Sequence, residues 1–207
     1  MTQREYAVIT GASSGIGAAT AKLLAENGFH VIAAARRVDR LNDLAKENSA
    51  VEALELDVTN QQSVDAMAEK LKGKPVSIVV NCAGGAFDFN SVHTSDPEVW
   101  KKTFDLNVVG TVRVVKALTP HMQAHGKGHI VIITSTAGQR AYENGGSYVA
   151  AKFAESSLVD TLRLELNGQP IRVTEIAPGM VKTDEFAVNR FDGDSAKAAK
   201  VYEGVDA

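Results

Sequence analysis

Short apolar runs rich in β-branched residues alternate along this chain with longer stretches in which apolar residues recur every three or four positions. Several of the runs are almost continuously apolar, which is typical of strands buried on both faces of a parallel sheet. The predicted strands are Tyr6–Thr10, His30–Ala34, Val51–Leu56, Val76–Val80, His129–Thr134 and Arg172–Ile176.

The intervening stretches have helical spacing, and Gly28 follows the first of them, where a helix C-terminus favours glycine. They predict helices over Ile16–Asn27, Val38–Glu47, Ser63–Leu71, Pro97–Met122 and Ser147–Leu166. Strands that alternate with helices form βαβ units, with helices on both faces of the sheet. We therefore predict an α/β fold with a Rossmann-type doubly wound parallel sheet, in a single domain over residues 1–207. The stretch 183–207 is polar and irregular, with helical content around 195–202.

The composition is that of an ordinary globular domain. The 207 residues are 44% hydrophobic and 23% charged, with a formal net charge of -3. No basic tract is present, which argues against binding to nucleic acid or to a membrane. The single cysteine, Cys82, excludes an intramolecular disulfide, and no apolar run is long enough for a signal peptide or a membrane span. We expect a soluble, cytoplasmic protein. Three histidines recur at every fourth position over 121–129, but Gly126 and Gly128 break the helix there, so we predict no metal site.

A glycine-rich turn, Thr10–Gly17 (TGASSGIG), joins the first strand to the first helix. Glycines permit a tight turn and let the backbone approach a pyrophosphate, and the helix N-terminus offers free N–H groups. The spacing alone fits a purely structural turn equally well. The order strand, glycine turn, helix favours a dinucleotide site. Its predicted contacts are Gly11, Ser13, Ser14, Gly15, Ile16 and Gly17.

The end of the second strand decides between NAD and NADP. An acidic residue there would bind the ribose 2′-hydroxyl of NAD, but this chain has Arg36 and Arg37. Two guanidinium groups suit a 2′-phosphate, so we predict NADP. The alternative is a solvated pair of surface charges. Asp57, after the third strand, either accepts a hydrogen bond from the adenine amine or caps the following turn.

Tyr148 and Lys152 stand four residues apart in a predicted helix and therefore share one face. An ammonium beside a phenol favours the phenolate and lowers the pKa of the phenol, which lets a tyrosine exchange protons near neutral pH. Ser135 follows the fifth strand, at the carboxyl ends of the strands, where doubly wound folds bind their ligands. Its hydroxyl either polarises a substrate carbonyl or caps its own turn.

Six features occur in an order that is typical of one enzyme family. They are Thr10–Gly17, Asn81-Cys82-Ala83-Gly84, Asn107, Ser135, the pair Tyr148 and Lys152, and Pro178-Gly179. Together they resemble the short-chain dehydrogenase/reductase family over about residues 5–185. The resemblance implies that Tyr148 is the general acid and base, and that Lys152 tunes it and binds the nicotinamide ribose. It also implies that Ser135 holds the substrate oxygen and that Asn107 supports a water in a proton relay.

The same resemblance implies the remaining contacts to NADP. Besides the glycine turn, the two arginines, Tyr148 and Lys152, these are Asp57, Val58, Asn81, Ala83, Gly84, Pro178, Gly179, Val181 and Thr183. The segment 182–207 is expected to form a lid over the substrate. Within the family, Arg36-Arg37-x2-Arg40-Leu41 and the tail from Arg190 to Gly204 resemble the NADP-dependent serine and 3-hydroxy acid dehydrogenase branch.

Two features depart from the family pattern. Cys82 replaces a second asparagine, and we expect it to act as a small apolar residue. The chain also stops short of the last helix and strand of the family, which leaves open whether it is complete and active.

The sequence thus predicts an NADP-dependent oxidoreductase that transfers hydride between the nicotinamide and the carbinol or carbonyl carbon of a small substrate, such as the 3-hydroxy acid serine. The alternatives are a reductase of 3-oxoacyl thioesters or of ketones in general, a non-catalytic NADP-sensing regulator, and an inactive fragment. A hydroxy acid needs a cation for its carboxylate, for which we favour Arg190 over Arg140. The two longest predicted helices are apolar on more than one face, which favours a homodimer or homotetramer.

Overall fold

The computed structural model describes residues 4–183, 185–191 and 193–203. Within them, six parallel strands form one sheet in the order β3-β2-β1-β4-β5-β6. The strands are β1 (Tyr6–Thr10), β2 (His30–Ala35), β3 (Val51–Glu55), β4 (Val76–Asn81), β5 (Gly128–Ile133) and β6 (Ile171–Ile176). The strand order reverses between β1 and β4, and in such sheets a crevice opens at the carboxyl ends of the strands on either side of the reversal.

Helices cover both faces of this sheet. They are α1 (Gly15–Glu26), α2 (Val38–Glu47), α3 (Gln61–Lys70), α4 (Pro97–Phe104), α5 (Gly110–His125), α6 (Gly146–Glu165), α7 (Phe186–Arg190) and α8 (Ser195–Lys200). Core residues of α1 and α2 pack on one face, and those of α3, α5 and α6 pack on the other. The doubly wound α/β architecture that the alternating pattern predicts is confirmed.

The strands at the centre are buried on both sides, which explains their continuous apolar character. In β1, Val8 belongs to the core on one face, whereas Ala7 and Ile9 belong to the core on the other. Because successive side chains of a strand point to opposite faces, a strand between two helical layers needs apolar residues at every position.

Most element boundaries differ from the predicted ones by one or two residues, and β1 and α2 match their predictions. Gly28 follows the end of α1 with a φ of +92°, the left-handed conformation that favours glycine at this position. Two predictions of secondary structure were wrong. The stretch predicted as one helix over 97–122 consists of α4, a π-helical turn over Asp105–Val109, and α5. A helix, α7, lies in the stretch that was predicted to be irregular.

The helix α5 ends at His125, and Gly126 adopts a φ of +73° directly after it. This break places His129 on β5, apart from His121 and His125 on α5. Across the described ranges, no helix has the length and apolarity needed to cross a membrane. Nor do the residues placed by the structure include a group of three potential metal ligands.

Candidate active site

A cleft of about 960 Å³ lies at the carboxyl ends of the strands and extends beneath α7. Most of the residues that the sequence singles out line it. They are Gly11, Ser13, Ser14, Gly15, Ile16, Gly17, Arg36, Arg37, Asp57, Val58, Ala83, Gly84, Ser135, Tyr148, Lys152, Pro178, Gly179, Val181, Thr183 and Arg190. Asn81 and Asn107 do not reach its surface and lie behind it.

The glycine turn forms one wall of the cleft, and its glycines are there for steric reasons. Gly11 has a φ of +68°, and a Cβ atom there would come within 2.8 Å of the backbone nitrogen of Ala83. A Cβ atom on Gly17 would lie 2.4 Å from the carbonyl oxygen of Gly11. At the helix start, the Ser14 side chain makes no capping hydrogen bond to α1. The first N–H groups of α1 are therefore not satisfied by that side chain and are available to an anion.

The arginines after β2 form a cationic end of the cleft. The Arg37 guanidinium donates to the Ser13 hydroxyl at 2.8 Å and to the Ser14 hydroxyl at 3.1 Å. It also forms an ion pair with Glu185, which Arg40 shares. The Ser14 hydroxyl donates to the second Glu185 oxygen at 3.1 Å. A carboxylate therefore occupies Arg37, one of the two arginines that we predicted for the 2′-phosphate.

Asp57 serves the turn that follows it and also lines the cleft. Its Oδ1 atom accepts hydrogen bonds from the Thr59 backbone at 3.0 Å and the Thr59 hydroxyl at 2.7 Å. Burial raises the pKa of Asp57, but these hydrogen bonds and the charge of Arg36 outweigh it and hold the pKa below its ordinary value. Asp57 is therefore an ionised acceptor next to the arginines at neutral pH.

Tyr148 and Lys152 lie one turn apart at the start of α6, and the Lys152 Nζ atom is 5.6 Å from the centre of the Tyr148 ring. Ser135, just after β5, completes the group and lies close enough to Tyr148 to lower the pKa of the phenol. The Ser135 hydroxyl also accepts from the backbone of Ala137 at 3.1 Å. It thus caps its own turn, as the alternative interpretation proposed, and is also part of the cleft.

The net pKa shift of Tyr148 contradicts the sequence argument. Burial raises the pKa of the phenol, and the Lys152 ammonium and the Ser135 hydrogen bond only partly offset this. Lys152 therefore acts in the predicted direction, but it does not lower the pKa of Tyr148 below that of a free phenol in this structure. A further contribution that raises the pKa comes from Glu155, a residue that the sequence analysis missed.

Glu155 contacts Lys152 through an ion pair of 2.6 Å, and both side chains are almost fully buried. Burial alone would lower the pKa of Lys152, but Glu155, Tyr148 and Cys82 together outweigh it, so the pKa lies above the ordinary value of a lysine. The signal for Glu155 is present in the sequence. It follows Lys152 by three residues, so it occupies a neighbouring position on the helix, on the face that is directed to the core.

Asn107 lies in the π-helical turn and is fully buried. Its side-chain nitrogen donates to the carbonyl oxygens of Thr103 at 2.7 Å and Gly85 at 2.9 Å. Its side-chain oxygen accepts from the Gly85 backbone nitrogen at 3.1 Å. The amide thus takes the Thr103 carbonyl that an α-helix would pair with the Asn107 backbone, which explains the wide turn. Asn107 holds the loop after β4 beside Lys152.

The loop after β4 is also anchored to β1. The Thr10 hydroxyl accepts from the backbone nitrogens of Cys82 at 3.1 Å and Ala83 at 3.0 Å. Asn81 is buried, and its side-chain amide has no hydrogen-bond partner among the described residues. Cys82 packs against the core as a small apolar residue, as expected, and burial raises the pKa of its thiol to about 11.

The outer wall is aromatic and carries one cation from α7. The Phe186 ring packs edge-on against Tyr148, with ring centres 5.3 Å apart. The Arg190 guanidinium lies 4.6 Å from the centre of the Phe89 ring and donates to the Tyr142 hydroxyl at 2.7 Å. The predicted lid 182–207 falls partly outside the described residues, as does Gly204 of the tail motif. The described part covers Tyr148 through α7.

The comparisons with known proteins agree with this geometry. The profile of the short chain dehydrogenase family matches residues 5–192. An uncharacterized oxidoreductase of Mycobacterium tuberculosis is 48% identical over 204 residues, which cover 99% of this chain and 80% of that protein. An NADP-dependent 3-hydroxy acid dehydrogenase of Salmonella typhi is 37% identical over 203 residues, covering 97% of this chain and 82% of that protein. The closed form of a serine dehydrogenase with NADP+ has a TM-score of 0.92 at 35% identity, covering 97% of this chain and 82% of that one. The chain therefore belongs to the short-chain dehydrogenase family and is an oxidoreductase that acts on CH–OH groups.

Proposed function

We propose that this oxidoreductase uses NADP and interconverts a small 3-hydroxy acid, such as serine, with its 3-oxo acid. The observation that carries the proposal is one continuous cleft with an anion-binding end at Arg37 and a proton-transfer group at Tyr148. The relatives described as an NADP-dependent 3-hydroxy acid dehydrogenase and as a serine dehydrogenase support the same conclusion.

The residues at the cationic end fit a 2′-phosphate. Glu185 serves as a stand-in anion, since Arg37, Arg40 and Ser14 all bind its carboxylate. A phosphate offers more oxygens to the same arginine forks and serine hydroxyls. Arg36 adds a third positive charge to the same end of the cleft, and the N-terminus of α1 is available for the pyrophosphate.

When bound, NADP supplies the hydride acceptor or donor for the substrate carbon, and the protein supplies orientation and a proton path. Tyr148 takes the proton from the substrate hydroxyl in oxidation and returns it in reduction. Ser135 binds the same oxygen, which fixes its distance to the phenol. Lys152 places a positive charge beside the phenolate that forms, which stabilises it.

Arg190 is the proposed anchor for the substrate carboxylate. Two of its five N–H groups are used, by the Asp88 carbonyl at 3.3 Å and by the Tyr142 hydroxyl at 2.7 Å. Its guanidinium also lies 5.9 Å from the centre of the Tyr148 ring, so its charge is close to the reacting group. A carboxylate between Arg190 and Tyr148 would have its β-hydroxyl within reach of the phenol.

Two other functions would use parts of the same cleft. A reductase of 3-oxoacyl thioesters or general ketones would use Tyr148 in the same way, but it would not need Arg190. A regulator that senses NADP without turnover would need only the cationic end of the cleft.

The test is a substrate panel in which serine, 3-hydroxybutyrate and an uncharged secondary alcohol are oxidised with NADP or NAD, and a 3-oxoacyl thioester is reduced with NADPH or NADH. We expect the highest kcat/KM for the hydroxy acids with NADP. Arg190→Ala should raise KM for these acids by roughly tenfold or more, since a charge-assisted hydrogen bond contributes about 1.5–3 kcal/mol. The same variant should leave the uncharged alcohol nearly unaffected. A parallel loss on both kinds of substrate would contradict the anchor, and no turnover of any substrate would contradict the activity.

The same chain is proposed to form a homodimer or homotetramer. Val112 on α5 and Phe153 on α6 are 41% and 44% exposed, while other apolar residues of both helices lie in the core. A helix that is apolar on two faces needs a second partner, and a second copy of the chain supplies one. Light scattering at micromolar concentration should find an oligomer, and a stable monomer would contradict it.

A further inference from the structure

A buried carboxylate touches the lysine of the proton-transfer group. Glu155 is 1% exposed and Lys152 is 4% exposed, and the Glu155 Oε2 atom lies 2.6 Å from the Lys152 Nζ atom. From α5, the Thr111 hydroxyl donates to the other Glu155 oxygen at 3.4 Å. The mechanism proposed above has no use for this carboxylate, although it rests against the residue that sets the charge beside Tyr148.

The charged and titratable neighbours of the pair come from several elements. Glu175 on β6 faces Glu155, and its charge acts on that carboxylate. Cys82, after β4, and Tyr148, on α6, face Lys152. The Glu175 side chain is itself held by the hydroxyls of Thr134 at 2.7 Å and Ser156 at 2.6 Å. Lys152 is therefore the one cation among these residues, and the two glutamates, the Tyr148 phenol and the Cys82 thiol are the groups around the pair that can carry a negative charge.

Stability does not account for this pair. Bringing two charges out of water costs more than their attraction returns in many proteins, and apolar replacements of buried ion pairs are often neutral or stabilising. Position in the site offers a better explanation. The Lys152 ammonium donates one of its three N–H groups to the Ile133 carbonyl at 3.0 Å and lies 2.6 Å from Glu155 Oε2. These two contacts fix the ammonium where it lines the cleft.

We propose that Glu155 is a positioning residue for Lys152, and that its negative charge sets how strongly the ammonium favours the Tyr148 phenolate. This inference rests on the proposed function of Tyr148 as the acid and base. Burial raises the pKa of Glu155, and Lys152 and Thr111 partly offset this by favouring its ionised form. With Glu155 ionised, the lysine and the glutamate together are neutral, so the phenolate is stabilised less than by a free ammonium. In return, the Glu155 carboxylate keeps the buried Lys152 side chain protonated and holds it in position.

The sign of the effect follows from charge alone. Glu155→Gln removes one negative charge from the buried cluster and keeps the size of the side chain. The Tyr148 and Lys152 pair then carries an excess positive charge before it loses a proton. It will lose that proton at lower pH, and the proton passes through the cleft to solvent. At the effective dielectric of proteins, a charge at this range moves a titration by roughly one pH unit or more.

The experiment compares pH profiles of kcat/KM for the oxidation of serine by wild type, Glu155→Gln, Glu155→Asp and Glu175→Gln. We expect the acidic limb of Glu155→Gln to shift down by about one pH unit or more. Glu155→Asp keeps the charge, so its limb should stay near that of wild type. Glu175→Gln is the matched control, because it removes a nearby carboxylate that does not contact Lys152, and it should shift the limb much less. Identical limbs in wild type and Glu155→Gln would overturn the proposal, as would equal shifts in Glu155→Gln and Glu175→Gln.

A second readout separates this inference from the proposed function. Phenolate absorbance can be titrated without substrate, as the difference between each protein and its Tyr148→Phe counterpart. If wild type turns over no substrate, the proposed function fails, whereas the shift in this titration still decides the role of Glu155. The same titration applies if Glu155→Gln folds but is inactive, and Glu155→Ala with its own Tyr148→Phe counterpart serves if Glu155→Gln does not fold. Because Glu155→Ala also removes the negative charge, its phenol should titrate at lower pH than that of wild type, and identical phenol titrations of these two proteins would overturn the proposal.

Discussion

The two ends of the cleft use the same kind of pair in different surroundings. At the cationic end, Arg37 faces Glu185, and their side chains are 41% and 20% exposed. At the proton-transfer end, Lys152 faces Glu155, with side chains 5% and 2% exposed. Arg37 and Glu185 come from distant segments, whereas Lys152 and Glu155 are neighbours on α6. The first pair can separate into water at little cost, and the second cannot.

This difference assigns the two pairs different roles. The carboxylate of Glu185 lies where we propose that the cofactor phosphate binds, so binding of NADP must replace it. The hydrogen bond from Arg37 and the nearby charges keep the pKa of Glu185 below its ordinary value, so it is a competing anion throughout the neutral range. Glu155 is enclosed by the protein and stays beside Lys152 at every step of the reaction. The Glu185 carboxylate can thus be replaced by a ligand, whereas the Glu155 carboxylate cannot.

The largest effect is expected from a substitution that removes the proton-transfer group and leaves the cationic end of the cleft intact. Tyr148→Phe removes one hydroxyl and should lower kcat by about 10²–10⁴, the usual contribution of general acid–base catalysis. The cationic end is untouched, so NADPH binding measured by fluorescence should be largely retained. Tyr6→Phe, which removes a phenol remote from the cleft, is the control. Substantial turnover by Tyr148→Phe would exclude it as the acid and base.

A smaller effect is expected when the exposed end loses its cations. Replacing both Arg36 and Arg37 by alanine should raise the Kd for NADP by roughly tenfold or more, because charge-assisted hydrogen bonds contribute about 1.5–3 kcal/mol. The Kd for NAD should change much less, and calorimetry can measure both. Arg163→Ala controls for the loss of an arginine elsewhere. An equal loss for the two cofactors would mean that these arginines do not bind the 2′-phosphate.

The smallest effect is expected from the competing anion itself. Glu185→Gln removes the charge that occupies Arg37 and Arg40, and exposed ion pairs contribute only about 0.2–1 kcal/mol. NADP should therefore bind up to about fivefold more tightly, by the same calorimetric measurement. The pH profile of kcat/KM should be unchanged, in contrast to that of Glu155→Gln. Weaker binding of NADP by Glu185→Gln would show that Glu185 organises the cofactor site rather than competing with its ligand.

Local pattern was enough to predict the fold and most of the cleft. Apolar runs identify strands because the sheet is buried on both faces, and the turn at Gly11 and Gly17 is constrained by close backbone contacts that only glycine permits. The spacing of Tyr148 and Lys152 follows from the helix repeat. Each of these signals lies within a few residues of sequence, where periodicity and sterics act directly.

The features that were missed depend on contacts between distant segments. Arg37 and Glu185 are 148 residues apart, so no local pattern pairs them. The direction of the Tyr148 pKa shift depends on how deeply the phenol is buried, which spacing does not reveal. The break at Asn107 escaped detection because the residues on both sides continue a helical pattern. Only the fold reveals that its side chain takes the Thr103 carbonyl.

That wide turn has a consequence for insertions and deletions. An i→i+5 turn holds one residue more than an α-helical turn, so the segment Asp105–Val109 absorbs an extra residue without rotating α5 relative to α4. Loss of one residue here would leave an ordinary helix with its core face intact, whereas loss of one residue within α5 would turn every later side chain by about 100°. The turn is thus the place where this helix can change length by one residue and still pack. Deletion of Asn107 itself would also remove the side chain that holds the active-site loop.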